Sequence, residues 1–175
     1  MSELKHKLIN VSALAGIAGL VSLMTSPAVY AATTAVVAAT VTAQNVSITL
    51  TTDGAVAYGT QTVSATADTT SNGVNDTETV QNNGNVAEDF DISGAASAAW
   101  TLAATAGADQ YAHKFCITTC DSSPTWTALT GSNQALATSV AASGTQAFDL
   151  QLLMPTSTAS YAEQTLNVTV TASAS

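Results

Sequence analysis

Apolar and polar side chains alternate with a period of two along much of this chain. In "NVSITL" the apolar positions are Val46, Ile48 and Leu50; in "QAFDLQL" they are Phe148, Leu150 and Leu152; in "TLNVTVTA" they are Leu166, Val168 and Val170. Such alternation writes one buried and one polar face of a strand, because successive side chains on an extended backbone point to opposite sides. After the N-terminal segment, no stretch combines a 3.6-residue apolar period with charges on the opposite face, so helices are not expected. Turn residues separate the runs: Asp53-Gly54 after the first, Asn82-Asn83-Gly84-Asn85 between "TETVQ" and "VAEDFDI", and Ser143-Gly144 before "FDLQL". The Asn-Gly stretch predicts a hairpin, since both residue types tolerate the positive φ of tight turns. Further strands are predicted over Trp100 to Ala104, Tyr111 to Thr118 and Thr125 to Leu129. Seven to nine short strands predict an antiparallel Ig-like β-sandwich, with a jelly roll as the alternative.

The N-terminus breaks this pattern. Met1 to Lys7 is basic, Leu8 to Met24 is apolar, and "TSPAVYAATT" follows. That order predicts a signal peptide over residues 1–31, with Val29 and Ala31 at the −3 and −1 positions and cleavage after Ala31. The alternative is a retained anchor, because the apolar run approaches the roughly 18 residues of a spanning helix. Residues 32–175 then form a single domain. Its first stretch, Ala32 to Leu50, exceeds a typical strand. Either it is one strand bent at Gln44-Asn45, or residues 32–43 extend from the domain as an arm able to complete a neighbour's sheet edge.

Charge narrows the partners. The whole chain carries a net charge of −9, and of its three Lys and Arg residues two, Lys5 and Lys7, lie in the predicted signal. Beyond residue 31, eleven acids face Lys114 alone. So acidic a domain repels phosphate backbones and anionic lipid surfaces, which argues against nucleic acid and, after signal cleavage, against membrane as partners. An exported protein meets an oxidising compartment, which favours pairing of the two cysteines, Cys116 and Cys120.

The order of "DGAVAYGT", "ETVQNNGNVAEDFDISG", the tryptophan strand "AWTLAA" and "SGTQAFDLQLLMP" resembles the Ig-like β-sandwich modules of microbial surface proteins, among them the camelysin and TasA-type biofilm-fibre family. The shared feature is a strand ending in an Asn-x-Gly turn, here Asn82 to Gly84. The resemblance implies an extracellular matrix or filament subunit. The chain departs from that family in its scarcity of lysine and in its cysteine pair, and it has no His-Glu-x-x-His motif to support proteolysis.

Candidate chemistry concentrates in "YAHKFCITTC", residues 111–120. On a strand, Tyr111, His113, Phe115 and Ile117 share one face and Lys114 points to solvent, which argues against a lysine isopeptide crosslink. Fully extended, Cys116 and Cys120 would stand about 13 Å apart at about 3.3 Å per residue. A disulfide spans at most about 7 Å, so pairing requires a turn within "CITTC". A loop so short contributes about 2 kcal/mol through loop entropy. Read as a metal site, His113, Cys116 and Cys120 fall one ligand short of closed zinc coordination. The Cys-x3-Cys spacing is not that of a thioredoxin-like redox motif. No Gly-x-Ser-x-Gly elbow accompanies His113, the only histidine left after His6 departs, so no enzyme is expected. No cofactor is expected either; structural calcium through the acids of "EDFD" with Asp76 or Glu78 is the alternative, without an EF-hand pattern. Glu88 and Asp89 read as solvated charges on opposite faces of one strand. Trp100 reads as core, and Trp126, beside Pro124, as an exposed ligand contact. Asn45, Asn75 and Asn167 open Asn-x-Ser/Thr sequons. The expected role is a secreted or cell-surface structural protein, self-assembling through its N-terminal strand; the alternative is a glycan- or protein-binding module built on the Trp126 loop.

Overall fold

The computed structural model describes residues 34–175. The predicted signal peptide with Val29 and Ala31 lies outside the described residues. Residues 34–41 are exposed and carry no regular secondary structure. Residues 42–175 form a compact unit, whose first strand begins only at Ile48. A single strand running from Ala32 to Leu50 is therefore not formed over its described part.

Ten strands follow: β1 Ile48–Leu50, β2 Thr66–Asp68, β3 Glu78–Asn82, β4 Glu88–Gly94, β5 Thr101–Leu102, β6 Gln110–Cys116, β7 Thr127–Ala128, β8 Gln134–Val140, β9 Thr145–Leu153 and β10 Val168–Ala174. The count exceeds the predicted seven to nine partly because β5 and β7 are two-residue pieces. The strands make two sheets, of seven strands and of three, antiparallel except where β5 runs parallel to β6. In the larger sheet, β3 and β2 lie end to end along one edge of β9, and β6 lies along the other. Strands β5 and β7 likewise share the outer edge of β6. The smaller sheet has the order β10-β4-β8.

Alternation places the core. Phe148, Leu150 and Leu152 are buried as their spacing predicts, opposite Glu78, Phe115 and His113 respectively. From the small sheet, Phe90 and Ile92 of β4 and Leu136 of β8 meet Val80, Phe115, Phe148 and Leu150 in one buried cluster. The two sheets thus share a core, as in a β-sandwich. Each of these large side chains contributes about 2 kcal/mol on burial. Trp100, Tyr111 and Leu152 form a second, smaller cluster.

Two local expectations are overturned. Asn82 to Asn85 does not close a hairpin: β3 pairs with β1 and β9, whereas β4 pairs with β10 and β8, so the turn carries the chain from one sheet to the other. The Asn82 side chain, fully buried, donates to the carbonyls of Val86 and Val140 and accepts from the Gly84 amide at 2.7–2.8 Å. Gly84 is required here by crowding rather than by φ, since an added Cβ would lie 2.2 Å from Glu88 Oε1 and 2.4 Å from the Asn45 carbonyl oxygen. Ile117 does not join Tyr111, His113 and Phe115 on the buried face of β6, which ends at Cys116 and leaves Ile117 exposed, while Lys114 is partly buried.

Candidate functional site

Three strands cannot cover the inner face of a sheet this wide. The remainder lies beneath the irregular segments 54–63 and 158–167, and between them opens a cleft of about 1410 Å³. Its apolar lining comes from Val80, Phe148, Leu150 and Leu152 of the large sheet and from Val168 and Val170 of β10. Among the described strands β10 pairs with β4 alone, and its residues Val168 and Val170 line the cleft.

Polar groups enter this apolar space at three points. His113, directed inward by the alternation of β6, places Nε2 2.9 Å from the Tyr58 hydroxyl, and its Nδ1 is buried without a hydrogen-bond partner. Burial holds the imidazole neutral, its pKa lowered to about 4. The Tyr58 phenol is pushed well above its usual range, first by burial and then by the charges of Asp68, Asp76 and Asp149. Trp100 donates its indole N–H to Thr158 Oγ1 at 2.9 Å, tying the 158–167 segment to the second core cluster. Tyr161, 85% exposed, also lines the cleft.

The third point is acidic. Glu78 shares the inner face with Phe148 and is 4% exposed. Its Oε2 accepts a hydrogen bond from the Thr52 hydroxyl, while Oε1 has no partner among the described residues. One carboxylate oxygen from each of Asp53, Asp76 and Glu78 lies within 4.8 Å of the other two. Asp76 and Glu78 meet because residues two apart on extended chain face the same way; Asp53 arrives from the turn after β1. The "EDFD" acids do not join them. Glu88, expected to be solvated, is fully buried with Oε1 accepting from the Ser47 amide at 2.9 Å, and Asp89 on the opposite face accepts from the Ser139 amide.

The cysteine segment stands apart from the cleft. The Cα atoms of Cys116 and Cys120 are 5.9 Å apart with their sulfurs at disulfide distance, and Thr119 turns the chain with a φ of 53°. His113 is held by Tyr58, so the three potential zinc ligands are not gathered. Trp126 is partly buried and does not line the cleft, whereas Trp100 is core and does. Asn45, Asn75 and Asn167 are exposed. Sequence reasoning missed Tyr58 and the part played by Asp53. The i, i+2 spacing of Asp76 and Glu78 was the available signal for a paired carboxylate; nothing local linked either to Asp53.

Compared with protein-family models, curated proteins and solved structures, the chain matches none.

Proposed function

We propose that this chain is a secreted or cell-surface structural subunit, in which the N-terminal segment of one copy seats in the cleft of another as an added strand beside β10. The observation that carries this reading is the co-occurrence of an apolar cleft lined by β10, which pairs with β4 alone among the described strands, and an apolar segment with no strand partner among the described residues. In residues 34–41, Val36, Val37 and Val41 are each at least 90% exposed. Extended, Val37, Ala39 and Val41 share a face. Burying the two valines of that face contributes about 3–4 kcal/mol, no more than the lower end of the about 4–15 kcal/mol for lost freedom on association. Backbone hydrogen bonds along β10 supply the remainder, so assembly is weak per contact and concentration-dependent. The resemblance to Ig-like camelysin and TasA-type fibre proteins points the same way. So does the state of His113, which is neutral, buried and hydrogen-bonded to a Tyr58 phenol that burial and nearby acids keep protonated; the role proposed is not catalytic.

The test is negative-stain electron microscopy and sedimentation of residues 32–175 across a concentration series, beside a variant lacking residues 32–43. Ordered filaments that disappear with the deletion support the reading. Monodisperse particles at every concentration, or filaments indifferent to the deletion, refute it. A second reading, a glycan- or protein-binding module, rests on exposed Tyr161 at the cleft as well as on the Trp126 loop. It predicts saturable ligand binding lost in Tyr161→Ala or Trp126→Ala without any assembly.

A further inference from the structure

We propose that Asp53, Asp76 and Glu78 bind a calcium ion that fastens the turn after β1 to the start of β3 beside the cleft. A buried carboxylate is stable when paired with a cation or fully hydrogen-bonded. Glu78 is buried on the apolar inner face, and its Oε1 receives no hydrogen bond from the described residues. No arginine occurs in the chain, and its only lysine beyond residue 7 is Lys114 on β6. Two further carboxylates instead approach Glu78 to within 4.8 Å. Three like charges at that separation repel one another unless a cation sits among them.

The geometry selects the ion. Oxygens sharing one calcium at 2.3–2.6 Å can lie up to about 5 Å apart, whereas the shorter bonds of magnesium limit them to about 4 Å in strict octahedral array. The three oxygens lie within 4.8 Å of one another, inside calcium's reach, and an all-oxygen set of side chains suits the larger, more tolerant cation. Asp53 is exposed and Asp76 partly so, which leaves the solvent side open for the waters that complete calcium's six to eight ligands. Asp149 is not recruited: next to Phe148 on β9, it faces the other side of the sheet from Glu78, where its Oδ1 accepts from the hydroxyls of Thr69 and Thr77 at 2.8 Å. Glu88 also has an unpartnered buried oxygen, but it belongs to no carboxylate cluster among the described residues.

Calcium titration of the purified full chain, stripped with chelator, tests the assignment by calorimetry and thermal unfolding. The expected result is saturable binding with a Kd at or below about 1 mM, as in extracellular calcium modules, and an unfolding temperature that rises with calcium. Asp53→Asn, on an exposed turn, weakens binding at least about tenfold without altering the calcium-free melting temperature, so the test survives if Glu78→Gln fails to fold. Where Glu78→Gln folds, it is at least as stable as the parent without calcium and gains nothing from adding it. Absence of binding to the parent at about 5 mM calcium, well above that Kd range, overturns the proposal. So does calcium binding unchanged by Asp53→Asn, or an equal response to magnesium. None of these outcomes depends on whether the chain assembles.

Discussion

His113 is a residue whose chemistry the fold constrains strongly. Its ordinary pKa is about 6.5, and burial lowers it to about 4. Below the unfolded value the unfolded chain takes up a proton that the native imidazole refuses, so stability is intact above about pH 6.5 and falls as pH drops toward 4. The full loss is about 3 kcal/mol, at about 1.4 kcal/mol per pH unit of displacement. Asp89, Asp109 and Asp121 accept hydrogen bonds that hold their carboxyls below the usual range. They titrate beneath the histidine's window and do not obscure it. Urea unfolding at pH 7 and pH 4.5 should therefore show a marked decline in the parent and a much flatter response in Tyr58→Phe/His113→Leu. That double replacement removes both hydrogen-bond partners together and leaves neither stranded, so its cost at pH 7 should be small. Tyr58→Phe alone strands Nε2 as well as Nδ1 and should cost about 1–3 kcal/mol at neutral pH.

At the scale of elements, the cysteine loop is a local pin rather than a pillar. It closes a four-residue separation at the end of β6 and docks on the turn at residues 71–72, where Asp121 accepts from the Ser71 amide at 2.7 Å and its carbonyl accepts from Asn72 Nδ2. Cys116→Ala/Cys120→Ala should lower the unfolding free energy by no more than about 2 kcal/mol. It should also speed hydrogen exchange at Ser71 while leaving β9 protected; global unfolding of the variant would show that the loop does more. The strands on either side divide clearly by how legible they were. β9 was readable because Phe148, Leu150 and Leu152 are large and regularly spaced. β8 was not, because "QALATSV" separates its two larger apolar side chains, Leu136 and Val140, by small and polar residues that write no period. The Asn82 turn misled because asparagine favours both hairpin turns and buried backbone buckles; only the inward side chain and the crowding at Gly84 select the crossover. The cleft and its acids depend on residues 53, 58, 76, 113 and 168 converging, a juxtaposition set by sheet order, which local pattern does not encode.

For the molecule as a whole, the proposed assembly has to overcome like charge. The chain carries −9 at neutral pH with a pI near 4.1, so two copies repel over a Debye length that shrinks from about 30 Å at 10 mM salt to about 8 Å at 150 mM. Salt should therefore lower the concentration at which filaments form, measurable by sedimentation at pH 7. Acidification also reduces the repulsion, yet between about pH 6.5 and 4 the unfolded chain takes up a proton that the buried His113 refuses, which costs the folded subunit stability. The two routes to lower charge thus have opposite consequences. Raising salt at pH 7 should give more ordered filaments, whereas lowering pH to about 4.5 at fixed salt should give fewer of them together with disordered aggregate. The Tyr58→Phe/His113→Leu variant, freed of the imidazole, should retain filaments into that acidic range. Equal loss of filaments in parent and variant at pH 4.5 would place the acid sensitivity in the carboxylates of the contact itself and remove His113 from the account.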